Sequence, residues 1–425
     1  MPEPLFRKLF LLFLGGLFLA HPPFSAAQPS LSLRSETVFR AMESFDEQGD
    51  LSRSFPAYEY LRADVSTPVK GLSLHVYGWG RYDFAGKDHF ANNPDGDLFY
   101  GYAEYAPADG NLSIRGGRQN VLSAGANETM DGVRVRILPL SWLSLEAYGG
   151  LASAVTDDDG ADGDYLAGGR AGFFLPHGAV FGFSFKELAN DGDDNERTLG
   201  VDAYFPLFAD ITLSGMAGYS LLNGGMAEFL VEARAPLGPL WVEPFYERYF
   251  LDNLFNTGVD SARPFRILAL TENDISAVGA RVRHPDLFGL ETSVEAAMYQ
   301  QEAPGGASWH VKALVAAAAK GLRAGGEAGR LQGFHEQGYV SGRLFAYWGN
   351  PLKAVSGEFL DAEAMVVRYD EEIFGKDASW HVSVGAGKFF LKEALTLSVA
   401  GIYEHSPYLD QELKATVFLA ADGGI

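Results

Sequence analysis

The sequence predicts an all-β chain: a closed antiparallel transmembrane β-barrel of roughly 18–22 strands. Three observations predict it. The first is a two-residue alternation that recurs along most of the chain. Between Leu72 and Asp83, Leu72, Leu74, Val76, Gly78, Gly80 and Tyr82 fall on one face of a strand, and Ser73, His75, Tyr77, Trp79, Arg81 and Asp83 on the other, because successive side chains point to opposite sides. The second is an N-terminal leader. The third is that no other segment approaches the length of a membrane-spanning helix, about 18 continuous apolar residues. A secreted soluble sandwich or propeller is the alternative; no blade-length repeat supports a propeller.

The elements follow in chain order. Residues 1–27 read as a signal peptide. Arg7 and Lys8 precede the apolar run Leu9 to Ala20, and Ser25 and Ala27 form a small-x-small cleavage site ahead of Gln28. A membrane anchor is disfavoured by the short run and by Pro22 and Pro23. Residues 28–56 are polar and weakly periodic. They read as an N-terminal periplasmic or lumenal segment, with a short helix over Ser35–Met42. A strand missed in this segment is the other option.

Residues 57–425 read as the transmembrane barrel. Strands are expected near 57–66, 72–84, 97–107, 111–122, 128–138, 142–153, 164–175, 179–189, 197–206, 210–221, 225–236 and 240–250. After a break come 274–284, 289–301, 307–318, 339–348, 354–369, 379–390, 394–405 and 411–420. Clusters of Gly, Pro, Asn and Asp separate them. Each is about 10 residues long, the reach of a tilted transmembrane strand. Val133, Val135 and Ile137 oppose Arg134 and Arg136; Leu199, Val201 and Ala203 oppose Asp202 and Tyr204; Leu290, Thr292 and Val294 oppose Glu291, Ser293 and Glu295.

Tight turns such as Thr67-Pro68, Ala108-Asp109-Gly110 and Pro236-Leu237-Gly238 follow alternate strands, with longer loops at 85–96, 121–127, 153–163, 189–196 and 251–273 between them. Barrels of this class keep short turns on the periplasmic side. Applied to a first strand at 57, that rule leaves the N-terminus on the wrong side.

Composition narrows the function. The 425 residues carry 55 acidic and 33 basic side chains, a formal net charge of −22, which argues against a nucleic-acid partner. Fifty glycines and 13% aromatic residues suit barrel corners and interfacial girdles. There is no cysteine, so the chain has no disulfide, no thiolate metal site and no covalent haem attachment. No hydrolase elbow, P-loop or zinc-helix motif occurs, His335-Glu336 lacks a second histidine, and no cofactor is expected. His75, His310 and His381 read as lumen-facing polar residues. The acidic runs 157–164 and 191–196 read as solvated loops rather than cation sites. The long segment 251–273 reads as a projecting loop or a constriction.

The alternation places a set of charges on the inward face: Arg134, Arg136, Glu146, Asp202, Glu228, Glu232, Arg281, Arg283, Glu291 and Glu295. Lining a lumen, they set the field that solutes feel; alternatively they pair across strands and only support the wall. The acidic excess predicts a preference for cations.

At Tyr58-Glu59-Tyr60-Leu61, Leu72 through Asp83, Gly96 through Tyr102 and Asp131-Gly132-Val133 the chain resembles a family of porin-like outer-membrane proteins. They come from metal-reducing and sulfur-cycling deltaproteobacteria. The family includes the barrel component of porin–cytochrome conduits. The resemblance implies an outer-membrane barrel in contact with lipid. It implies either passage of solutes or ions, or a sheath around multihaem c-type cytochromes for electron transfer. The final strand alternates Leu413, Ala415, Val417 and Leu419 but is followed by Ala420 through Ile425 without a terminal aromatic residue, a departure from the usual outer-membrane ending.

Overall fold

The computed structural model describes residues 30–45, 51–85, 90, 92–123, 126–153, 165–190, 193–208, 210–254, 274–301, 306–333, 338–350, 357–407 and 411–424. The strands, in chain order, are β1 (Ser30–Phe45), β2 (Leu51–Ser54, continued past Phe55 as Pro56–Ser66), β3 (Leu72–Asp83), β4 (Asp95–Tyr105), β5 (Leu112–Ser123), β6 (Ala126–Leu140), β7 (Leu143–Ala152) and β8 (Tyr165–Phe174). Then come β9 (Val180–Asn190), β10 (Asp193–Pro206), β11 (Thr212–Ser220), β12 (Gly225–Leu237), β13 (Leu240–Tyr249), β14 (Ile275–Leu287) and β15 (Leu290–Gln301). The last are β16 (Gly306–Ala319), β17 (Leu322–Gln332), β18 (Gly338–Gly349), β19 (Glu358–Ile373), β20 (Lys376–Phe390), β21 (Leu395–His405) and β22 (Gln411–Gly424).

Each strand pairs antiparallel with the next, and β22 returns to β1 in an unbroken register from Ser32 opposite Gly424 to Phe45 opposite Gln411. The result is a closed barrel of 22 strands. Closure satisfies the ladder of every strand and leaves no edge.

Two elements correct the sequence reading. Ser35–Met42 is not a helix, and residues 28–56 are not a separate segment: Ser30–Phe45 is the strand that closes the barrel. Its pattern was blurred because Ser35 and Thr37 occupy the face that is apolar elsewhere. Both hydroxyls donate to Glu59 on β2, at 2.6 and 2.5 Å. The other missed strand is β17, Leu-Arg-Ala-Gly-Gly-Glu-Ala-Gly-Arg-Leu-Gln. Its small residues hide the alternation, yet they are needed. A Cβ at Gly325 would stand 2.7 Å from the Phe345 ring of β18 and 2.6 Å from the Val315 carbonyl of β16.

Counting β1 removes the conflict at the N-terminus. Ser30 and Gly424 now lie at the same end as the short connections 67–71, 141–142, 238–239 and 288–289. The rule is imperfect later in the chain, where a tight turn at 374–375 lies among the longer loops. Of the acidic run 191–196, Asp193–Glu196 belongs to β10 rather than to a loop; the run 157–164 lies outside the described residues. So do 255–273 of the long segment, whose start, Leu251–Leu254, is one helical turn, α1.

The barrel has two chemically distinct faces. Val133 (51% exposed), Phe183, Leu199, Val294, Val384 and Leu413 all stand exposed on one of them. A soluble sandwich would bury these residues between sheets. A buried cluster among the described residues, Val121, Met130, Tyr148 and Leu166, lies on the other face.

Candidate functional site

The polar face is the candidate site. Register fixes which side chains share it. Arg134 stands opposite Tyr148, Arg136 opposite Glu146 and Glu146 opposite Arg170. Glu232 stands opposite Phe245, Arg281 opposite Glu295 and Arg283 opposite Ser293. The alternation assigned these residues to one face, and the pairing keeps them there.

The structure joins four of the residues named from sequence in two direct pairs. Arg134 donates to Glu146 at 2.7 Å, and Arg281 donates to Glu295 at 2.6 Å. The other predicted residues meet partners that the sequence did not single out. Arg136 donates to Ser144 at 3.2 Å. Asp202 accepts two bonds from Arg170, across the intervening β9. Glu291 accepts from Arg323 at 3.0 Å, across β16. Glu228 lies over Gly218, where a Cβ would come within 3.2 Å of its side chain. Arg170 was masked by its setting, Gly168-Gly169-Arg170-Ala171-Gly172.

Two clusters stand out. In the first, Glu243 of β13 is 9% exposed at its side chain, and three guanidinium groups share it. Arg234, Arg281 and Arg283 approach at 3.5, 3.5 and 3.7 Å. Arg234 also lies 4.3 Å over the Trp241 ring. Lys312 reaches Glu295 at 3.3 Å. The three arginines, Trp241, Glu295 and Lys312 line a recess of about 620 Å³. Arg234 and Arg283 remain half exposed, and Glu291 and Glu327 line the same recess, so acids and bases are interleaved there, near the short-turn end.

The second cluster is centred on Lys186 of β9, 1% exposed. Its ammonium donates to Glu128 of β6 at 3.0 Å and to Glu196 of β10. A charge this buried needs such partners, since an unpaired one would be strongly destabilising. Among the described residues, no three His, Cys, Asp or Glu side chains converge as metal ligands would.

No protein-family model matches the chain, and no curated protein does. Among solved structures it is similar to a BenF-like porin from Pseudomonas fluorescens Pf-5, at 8% identity and a TM-score of 0.48 over 94% of this chain and 100% of that one. It is also similar to OccK2 (OpdF) of Pseudomonas aeruginosa, at 11% identity and 0.43 over 93% and 98%. A third is OccK3 (OpdO) of the same organism, at 10% identity and 0.45 over 94% and 97%. At such identities and scores, the fold of this chain rests on its own strand pairing.

Proposed function

We propose that the protein is a bacterial outer-membrane channel for small hydrophilic solutes or ions, with its apolar face against lipid and its polar face around a wet lumen. The observation that carries this reading is the combination of closure with two segregated faces. Lys186 argues for which face is inside. It reaches Glu128 past two intervening strands, and at about 4.8 Å per strand the gap along the sheet is about 14 Å. Side chains close such a gap on the concave side of a curved sheet. The ten charges named from sequence share that face and form part of the lumen wall.

The wall is interleaved rather than uniformly acidic. Glu146, Asp202, Glu291 and Glu295 each face an arginine, so the net charge of −22 does not translate into an acidic pore. The arginines around Glu243 stand among Glu291, Glu295 and Glu327, a dense mixed zone toward the end holding the short turns and both strand termini, which the class rule places in the periplasm. Glu228, Glu232 and Glu247 stand farther along the same strands, toward the longer loops. We therefore expect weaker cation preference than composition alone implies.

Planar-bilayer recording tests the reading. Purified protein should give discrete conductance steps with a modest, salt-dependent reversal potential. A folded barrel that gives no conductance would contradict it. If such a barrel also copurified with a haem protein, the sheath reading would replace it.

A further inference from the structure

We infer that a lane of aromatic rings on the polar face of β2, β3 and β4 is a binding track for pyranose sugars. Tyr58 and Tyr60 come from β2, Tyr77 from β3, and Phe99, Tyr100 and Tyr102 from β4. Successive centroids are 6.5 Å apart for Tyr58 and Tyr60 and 6.5 Å for Tyr60 and Phe99. They are 4.8 Å apart for Phe99 and Tyr77, 5.6 Å for Tyr77 and Tyr100, and 5.7 Å for Tyr100 and Tyr102. The inference rests on the lumen reading above and names a class of solute for that wall.

A break in the strand pairing builds the lane. Consecutive residues of a regular strand point to opposite faces, so Phe99 and Tyr100 should not both reach Tyr77. They do so because the register between β3 and β4 shifts at Tyr77/Gly78, leaving Tyr77 opposite Tyr100 and Gly78 opposite Leu98. The extra residue is Phe99, and its ring joins the lane. Bulges re-aim side chains in this way and concentrate near functional sites. The rings are half-buried, so the lane keeps ring surface open on a face that otherwise carries charges.

The flanks are polar, and Arg40 lies 5.5 Å from the Tyr58 ring centre. Arg62 donates to Asp64 at 2.9 Å, and Asp64 contacts His75 at 2.6 Å. Arg115 pairs with Glu104 at 3.2 Å and lies 5.1 Å from the Tyr102 ring centre. Ring faces carry a negative quadrupole, which suits the axial C–H face of a pyranose. Paired donors and acceptors beside the rings suit its hydroxyls. A neutral sugar fits the lane.

The test uses the full barrel in detergent with maltohexaose as the probe, read by titration calorimetry, and the same protein in a planar bilayer. Binding should be saturable and should tighten from maltose to maltohexaose. Tyr77→Ala with Tyr100→Ala should weaken it by about tenfold, the loss expected for two stacking faces, whereas Tyr77→Phe should retain it. Unchanged heat-modifiable gel mobility shows that each variant folds. A conducting barrel that binds no maltohexaose, or binding indifferent to the alanine pair, overturns the lane and leaves the channel reading standing. Binding in detergent without conductance supports the lane and overturns the channel.

Discussion

Val133 and Arg134 are neighbours in sequence but, in this account, face different solvents. Val133→Arg or Leu199→Arg puts a guanidinium into lipid and should cost about 2–4 kcal/mol near the midplane. Arg323→Ala removes half of an ion pair whose side chains are both about half exposed and should cost at most about 1 kcal/mol. Lys186→Ala should be the most damaging change on the wall, at about 3–5 kcal/mol, because Glu128 and Glu196 lose the ammonium they share. Denaturant unfolding of refolded barrels measures all of them; an Arg323→Ala cost as large as that of Val133→Arg would refute the assignment. At this scale the sequence disclosed parity but not partners. Arg134 and Glu146 were both readable as inward. That Arg170 reaches Asp202 across a strand depends on curvature, which alternation does not encode.

Among the elements, strand existence followed from alternation, and the strands that escaped are those whose alternation is disguised. Between Leu322 and Leu331, β17 has no large apolar residue; at Gly325 Phe345 and neighbouring backbone occupy the space. In β1 the lipid-side positions 35 and 37 are hydroxyls serving Glu59. The bulge that builds the aromatic lane was equally invisible, since a one-residue shift leaves no compositional mark. Gly117 is a further local device. It has φ of +125°, and a Cβ there would come within 2.2 Å of the Gly101 carbonyl oxygen on β4. Gly117→Val should therefore cost about 2–3 kcal/mol, more than a substitution at an unstrained glycine. The same substitution at Gly401, where nothing lies within 4 Å, is the comparison, measured by the midpoint of heat-modifiable gel mobility.

At the scale of the whole molecule, closure depends on β1 holding β22 on one side and β2 on the other. Removing residues 30–45 should leave two unpaired edges and abolish the compact, heat-modifiable form; a truncated chain that still ran as a folded barrel would show that closure lies elsewhere. The even strand number and the shared end of both strand termini were not readable from loop lengths alone. One missed strand inverts the apparent orientation, and two missed strands spoil the parity past residue 300. Composition also counts acids and bases separately, whereas pairs such as Arg134–Glu146 and Arg281–Glu295 join them across strands.

The central claim is that the polar face surrounds water and the apolar face meets lipid. The chain contains no cysteine, so single-cysteine variants report on one position each. The most direct test is labelling of Val133→Cys, Arg134→Cys, Val135→Cys and Arg136→Cys by a charged, water-soluble maleimide in barrels embedded in lipid bilayers. Labelling is expected at 134 and 136 and protection at 133 and 135. Uniform labelling, or the opposite alternation, would contradict it.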